Sequence, residues 1–172
     1  MLMSKGDTSD WPDAGFPGIR INPETLMPEI VNEEVLAEAR TASTDPGDLI
    51  FIRLVEGHPA EAAELLAEAR YKDPGSLRLR IFEADVLRVS NRFDRAIEVF
   101  RQLLAEHHET LEEAAVRQHL GRSYFAAGNA AAAVESFARA LDLRVAGSAD
   151  AALIYASTVA LQRAREVLDE QS

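Results

Sequence analysis

The chain has 172 residues, 47 % hydrophobic and 27 % charged, with a formal net charge of −11; this balance folds one ordinary domain and excludes disorder. An acidic surface repels phosphates, which excludes nucleic acid, and no apolar run approaches the ~18 residues that would span a membrane. There is no cysteine, hence no disulfide framework or thiolate metal site, and Met1-Leu2-Met3-Ser4-Lys5-Gly6-Asp7 turns polar too soon for a secretion signal, so a cytoplasmic location is expected.

Residues 1–21 read as a flexible tail. Ser9-Asp10-Trp11-Pro12-Asp13 and Gly15-Phe16-Pro17-Gly18 are turn formers without a period. Residues 22–172 read as one helical repeat domain. Asn22-Pro23-Glu24 looks like a cap with proline in the first turn. A helical pattern follows through Ile30, Val31, Val35, Leu36 and Ala39, and Thr44-Asp45-Pro46-Gly47 stops it. This half-repeat covers about 30–42.

The chain then repeats itself. Leu36-Ala37-Glu38-Ala39-Arg40 recurs letter for letter as Leu66-Ala67-Glu68-Ala69-Arg70, and Asp45-Pro46-Gly47 as Asp73-Pro74-Gly75. Gly57, Asn91 and Gly128 share one column, each between two apolar-periodic segments. Glycine and asparagine tolerate the left-handed conformation of a tight helix–helix turn. The repeats cover about 47–76, 77–110 and 111–146. Leading helices are expected near 49–56, 77–90 and 111–127, with following helices near 60–71, 93–106 and 130–143. A capping helix over about 149–170 would close the stack. Alanine runs such as Ala130–Ala133 favour helix and let helices approach closely. The expected fold class is all-α, an α-solenoid of stacked antiparallel helix hairpins with no strand.

Leu120, Gly121, Tyr124, Ala133, Phe137 and Ala140 fill the columns that make the last unit resemble a tetratricopeptide repeat, with Val145 where proline is usual. The second unit supplies Ala84, Leu87, Ala96, Phe100 and Leu103, while Arg80 and Glu83 stand in columns that are usually apolar. The first unit supplies Ala62, Leu66, Ala69 and Pro74. The resemblance runs from about Asn32 to Val145. It implies a concave groove, lined by the leading helices, that binds a peptide or an extended segment of a partner.

On that geometry the peptide-binding candidates are Phe51, Leu54, Ile81, Asp85, Arg88, Gln118, Arg122 and Phe125. Arg88 and Arg122 belong to neighbouring leading helices, whose axes lie ~10 Å apart. Two guanidiniums so spaced suit the carboxylates of an acidic-apolar segment. The alternative is that the aromatics are core and the arginines solvated. The second unit is locally basic, with Arg78, Arg80, Arg88, Arg92, Arg95 and Arg101, which either steers an acidic partner or reflects ordinary helix-surface charge. Acidic and aromatic residues around Trp11 make the tail a candidate occupant of its own groove, or of a neighbour's in self-association.

Histidines 107, 108 and 119 lack metal-ligand spacing, so neither metal nor cofactor is implied. The carboxylates are spread over solvent faces, and there is no phosphate loop, GxSxG elbow or cysteine nucleophile, which argues against an enzyme. The reading is a non-enzymatic adaptor or scaffold. The alternatives are a small dedicated chaperone resembling the translocator chaperones of bacterial secretion systems, or a regulatory or sensor subunit.

Overall fold

The computed structural model describes residues 6–172. Among them run eight helices: α1 (Glu33–Ala42), α2 (Pro46–Val55), α3 (Pro59–Lys72), α4 (Leu77–Val89), α5 (Phe93–Glu106), α6 (Glu113–Ala126), α7 (Ala130–Ala146) and α8 (Ala151–Glu170). Two short antiparallel strands precede them, β1 (Ile19–Ile21) and β2 (Pro28–Ile30), with Ile19 opposite Ile30 and Ile21 opposite Pro28. No helix of the described residues is long and apolar enough to cross a membrane.

Caps set several helix starts. Asn32 accepts from the Val35 amide, Asp45 from Gly47, Ser76 from Leu79 and Asn129 from Ala132, each satisfying an amide that the first turn leaves unpaired. The turns inside the hairpins repeat one geometry. Gly57, Asn91 and Gly128 have φ of 80°, 61° and 83°, and each amide donates to the carbonyl three residues back. In each case the next amide reaches five back, as His58 does to Arg53 at 2.9 Å, Arg92 to Leu87 at 2.8 Å and Asn129 to Tyr124 at 2.9 Å. This paired 6→1 and 5→2 closure is the Schellman motif. Ser148, with φ of 52°, closes the α7–α8 turn in the same way, Ala149 donating to Arg144 at 2.9 Å.

Consecutive helices pack in layers. Ile50, Leu54, Ala62, Leu66 and Phe82 join α2, α3 and α4. Ile81, Ala84, Phe100, Leu103, Val116 and Leu120 join α4, α5 and α6. Ala133, Phe137, Ala160, Leu161 and Ala164 join α7 to α8. Phe100 and Phe137 are both fully buried, as are Ala96 and Ala133, so the two repeats carry the same side chains in equivalent places. Gly121 lets α6 and α7 close on each other: a Cβ there would stand 2.6 Å from the Phe137 ring. The result is an all-helical repeat stack.

The N-terminal region departs from the sequence expectation of a tail followed by a helix starting at Asn22. The first five residues of that tail lie outside the described residues. From Thr8 onward the segment is organised by Arg20, whose Nη1 donates to the carbonyls of Thr8, Ser9 and Trp11 at 3.4, 2.8 and 3.1 Å. Asn22 does not cap a helix. Its Oδ1 accepts from Glu24 at 2.8 Å, and its carbonyl accepts from Leu26, which turns left-handed at φ 59°. Such side-chain-to-backbone bonds favour a turn over a helix, and the chain doubles back into β2. The first helix therefore starts only at Glu33.

Candidate interaction groove

α2, α4 and α6 lie side by side, and the hairpin of residues 8–31 lies across them and onto α8. Phe16 and Ile19 pack with Leu36 and Ile52, joined by Phe51 and Val55. Leu26, 2 % exposed, enters the cluster of Ala133, Phe137, Ala160 and Leu161, with Tyr124 and Phe125 against it. Polar clamps hold the hairpin along its length. Arg122 Nε donates to the Leu26 carbonyl at 3.2 Å and Arg163 Nε to that of Glu24 at 2.9 Å, while the Tyr155 hydroxyl donates to that of Asp10 at 2.5 Å. Arg88 Nη1 points at Met27 Sδ, 2.8 Å away.

Most of the sequence-derived groove residues come together beneath this hairpin. Asp85 and Arg88, 5 % and 4 % exposed, sit on α4 with Arg88 Nε 3.5 Å from Asp85 Oδ1. Arg122 lies alongside on α6, and His119 Nδ1 is 3.6 Å from Asp85 Oδ2. Burial alone would raise the Asp85 carboxyl. The charges of His119, Arg88 and Arg122 outweigh it and hold that carboxyl well below the usual carboxylate range. Burial, with the Arg88 charge beside it, pushes the Arg122 guanidinium down to about 10 despite Asp85. Phe51 stacks on Phe82 with ring centroids 6.3 Å apart, and Phe125 packs in the Leu26 cluster. Leu54 belongs to the α2–α3–α4 layer and touches the groove from its edge. Ile81 is separate, facing α5 and α6 in the core.

Gln118 takes part in a second buried network. Arg144 Nη1 donates to the Leu153 carbonyl at 3.0 Å and to Ser157 Oγ at 2.8 Å. Ser157 in turn donates to Gln118 Oε1 at 2.7 Å. Burial lowers the Arg144 guanidinium from its ordinary value. Two cavities remain beside the Leu26-Met27 segment. One of ≈ 260 Å³ lies among Leu26, Phe51, Asp85, Gln118, His119, Arg122, Arg144 and Val159. The other, of ≈ 240 Å³, lies among Met27, Pro28, Leu54, Arg88 and Phe93.

Sequence reasoning missed Leu26, Met27, His119, Arg144 and Ser157 as parts of this face. His119 sits on α6, within the expected leading helix, and its ring stacks on Phe100 with centroids 5.9 Å apart. Trp11 is half-buried and does not enter the groove, lying instead in a shallow depression with Tyr155 and Arg163. The basic second unit is largely paired: Arg78 with Asp45 and Asp48 at 2.6 and 2.8 Å, Arg80 with Glu106, and Arg95 with Glu98.

Residues 54–120 match the model of the tetratricopeptide repeat family. No curated protein and no solved structure matches the chain. The matched stretch runs from the end of α2 through most of α6, across two of the Schellman turns and two of the packed layers. Residues 54–120 are therefore similar to tetratricopeptide repeats, which are generally protein-interaction modules.

Proposed function

We propose that this protein is a non-enzymatic adaptor whose concave groove takes an extended, leucine-bearing segment of a partner protein in competition with its own N-terminal hairpin. The observation that carries this reading is the seating of Leu26. An irregular stretch of chain lies over the leading helices, its leucine fills an apolar socket, and Arg122 and Arg163 hold its backbone carbonyls. Backbone carbonyls are common to every sequence, while the socket selects one side chain; that is how grooves recognise extended peptides. Acidic groups in the ligand would meet Arg88 and Arg122 once the hairpin had moved aside.

The test loosens the hairpin without touching the core. Tyr155 and Arg163 clamp it from α8, and Tyr155 is exposed. The Tyr155→Phe/Arg163→Ala variant should keep the wild-type circular dichroism spectrum. In affinity capture read by mass spectrometry it should retain the same partners as the wild type, in larger amount. Equal retention would move the binding surface to the outer faces and overturn the groove assignment.

A further inference from the structure

We propose that the ≈ 260 Å³ cavity beneath the hairpin is a binding site for a small organic acid, whose carboxylate is held by Arg122, Arg144 and Gln118. The first argument is charge. Of the groups lining the cavity, two guanidiniums, those of Arg122 and Arg144, meet a single buried carboxylate, Asp85. That carboxylate is already engaged by Arg88 at 3.5 Å and His119 at 3.6 Å. Arg144 is 8 % exposed and has no carboxylate partner among the described residues. Arg78, at the rim, is matched by Asp45 and Asp48. Asp13, the cavity's other acid, is exposed and accepts from the Gly15 amide. An interior cation without a counter-ion is costly, and an anion in the cavity would relieve that cost.

The second argument is the polarity of the hydrogen bonds. A guanidinium only donates, so Ser157 Oγ must be the acceptor of the Arg144 bond. Its hydroxyl proton is then free to go to Gln118 alone, which fixes the amide with Oε1 toward Ser157. Both protons of Gln118 Nε2 are left over, and this nitrogen has no partner among the described residues. Arg122 uses Nε for Leu26 and Arg144 uses Nη1 for its two bonds, so their other nitrogens also remain as donors. The cavity thus presents several unused donors and an excess of positive charge. Such a set matches a planar carboxylate. Leu26, Phe51, Val159 and Ala160 supply an apolar remainder that suits a short hydrocarbon or aromatic body.

The experiment uses the full chain with benzoate and isovalerate, and with benzamide and isovaleramide as uncharged isosteres. Ligand bound only by the folded state raises the melting temperature with concentration. The acids should raise it and give a calorimetric binding isotherm, and the amides should do neither. Gln118→Glu keeps the shape and still accepts the Ser157 proton, but places the protein's own carboxylate beside Arg144. It should stay folded and bind benzoate about tenfold more weakly or worse, because like charges repel. An acetylated tripeptide ending in a free leucine carboxylate tests the source. If it binds alongside the small acids, the site reads the carboxylate whatever carries it; if it alone binds, the small-acid site is overturned. The proposal also falls if no acid binds, if the amides bind equally well, or if folded Gln118→Glu binds benzoate as the wild type does.

Discussion

Gly57, Asn91, Gly128 and Ser148 occupy the left-handed region at the α2–α3, α4–α5, α6–α7 and α7–α8 turns, and only two of them are glycine. Around Gly57 a Cβ would meet nothing within 4 Å, so a substitution there isolates the backbone cost. Gly57→Ala should destabilise the fold by about 1 kcal/mol, a fall of roughly 2–4 °C in the melting temperature of a chain this size. Three of the four turns were legible in the sequence because glycine and asparagine announce them. Ser148 was not, since serine carries no such preference and the preceding Gly147 draws attention to the wrong residue. Asp85 gives the second residue-scale prediction. Its carboxyl is held below its ordinary value of 3.8, so its stabilising contribution is present above about pH 4 and is lost as the pH falls toward the folded value. Asp85→Asn, which leaves Arg88 and Arg122 without their counter-ion, should cost roughly 3 kcal/mol at neutral pH. Thermal melts from pH 7 down to pH 2.5 should show the gap between wild type and variant narrowing below about pH 4.

The helices and the hairpin differ in how much of their structure is local. Each helix carries its own apolar period and several carry their own cap, so their positions follow from short stretches of sequence: α5 runs over Phe93–Glu106, the span expected for it. The hairpin has strands of three residues, too short for an alternation to register. What folds it is Arg20 gathering three carbonyls and Leu26 finding a socket built by residues more than a hundred positions later. The candidate site follows the same division. The local pattern puts Asp85, Arg88 and Arg122 on leading helices, and the resemblance to tetratricopeptide repeats is what implies a groove along them. Arg144 and Ser157 belong to different helices and meet Gln118 only through the tertiary stack. Removing the Leu26 plug should expose this difference. In Leu26→Ala the amides of Ile21, Asn22 and Leu26, which are hydrogen-bonded within the hairpin, should exchange faster with solvent while those of α4 and α6 keep their protection. Loss of protection throughout would mean that hairpin and helices unfold together.

Across the whole molecule there is no single core. The layers share helices, α4 belonging to two and α6 joining the central one to the α7–α8 side, and a stack of this kind has a stability set by each unit and its neighbours. Phe100 and Phe137 are the fully buried anchors of two different layers. Truncating either to alanine should cost about 3–5 kcal/mol. Trp11 is the only tryptophan and belongs to the hairpin, so its fluorescence follows that element while circular dichroism follows the helices. Phe137 shares its cluster with Leu26. Phe137→Ala should therefore shift the fluorescence transition to lower urea than the dichroism transition, whereas in Phe100→Ala, one layer away, the two should move more nearly in step.

The hairpin also has a mechanical consequence. A helical stack joined only through neighbouring contacts behaves as a spring, since small changes at each interface add up to a large change in pitch. Here one short segment touches Ile52 of α2, Arg88 of α4, Arg122 of α6 and Ala160 of α8. Any stretch or twist of the coil must slide those four anchor points relative to one another, and a strap fastened to all of them resists it. The resting pitch is thus set by the length of the strap as well as by the helix interfaces, and releasing the strap would let the coil relax to a curvature of its own.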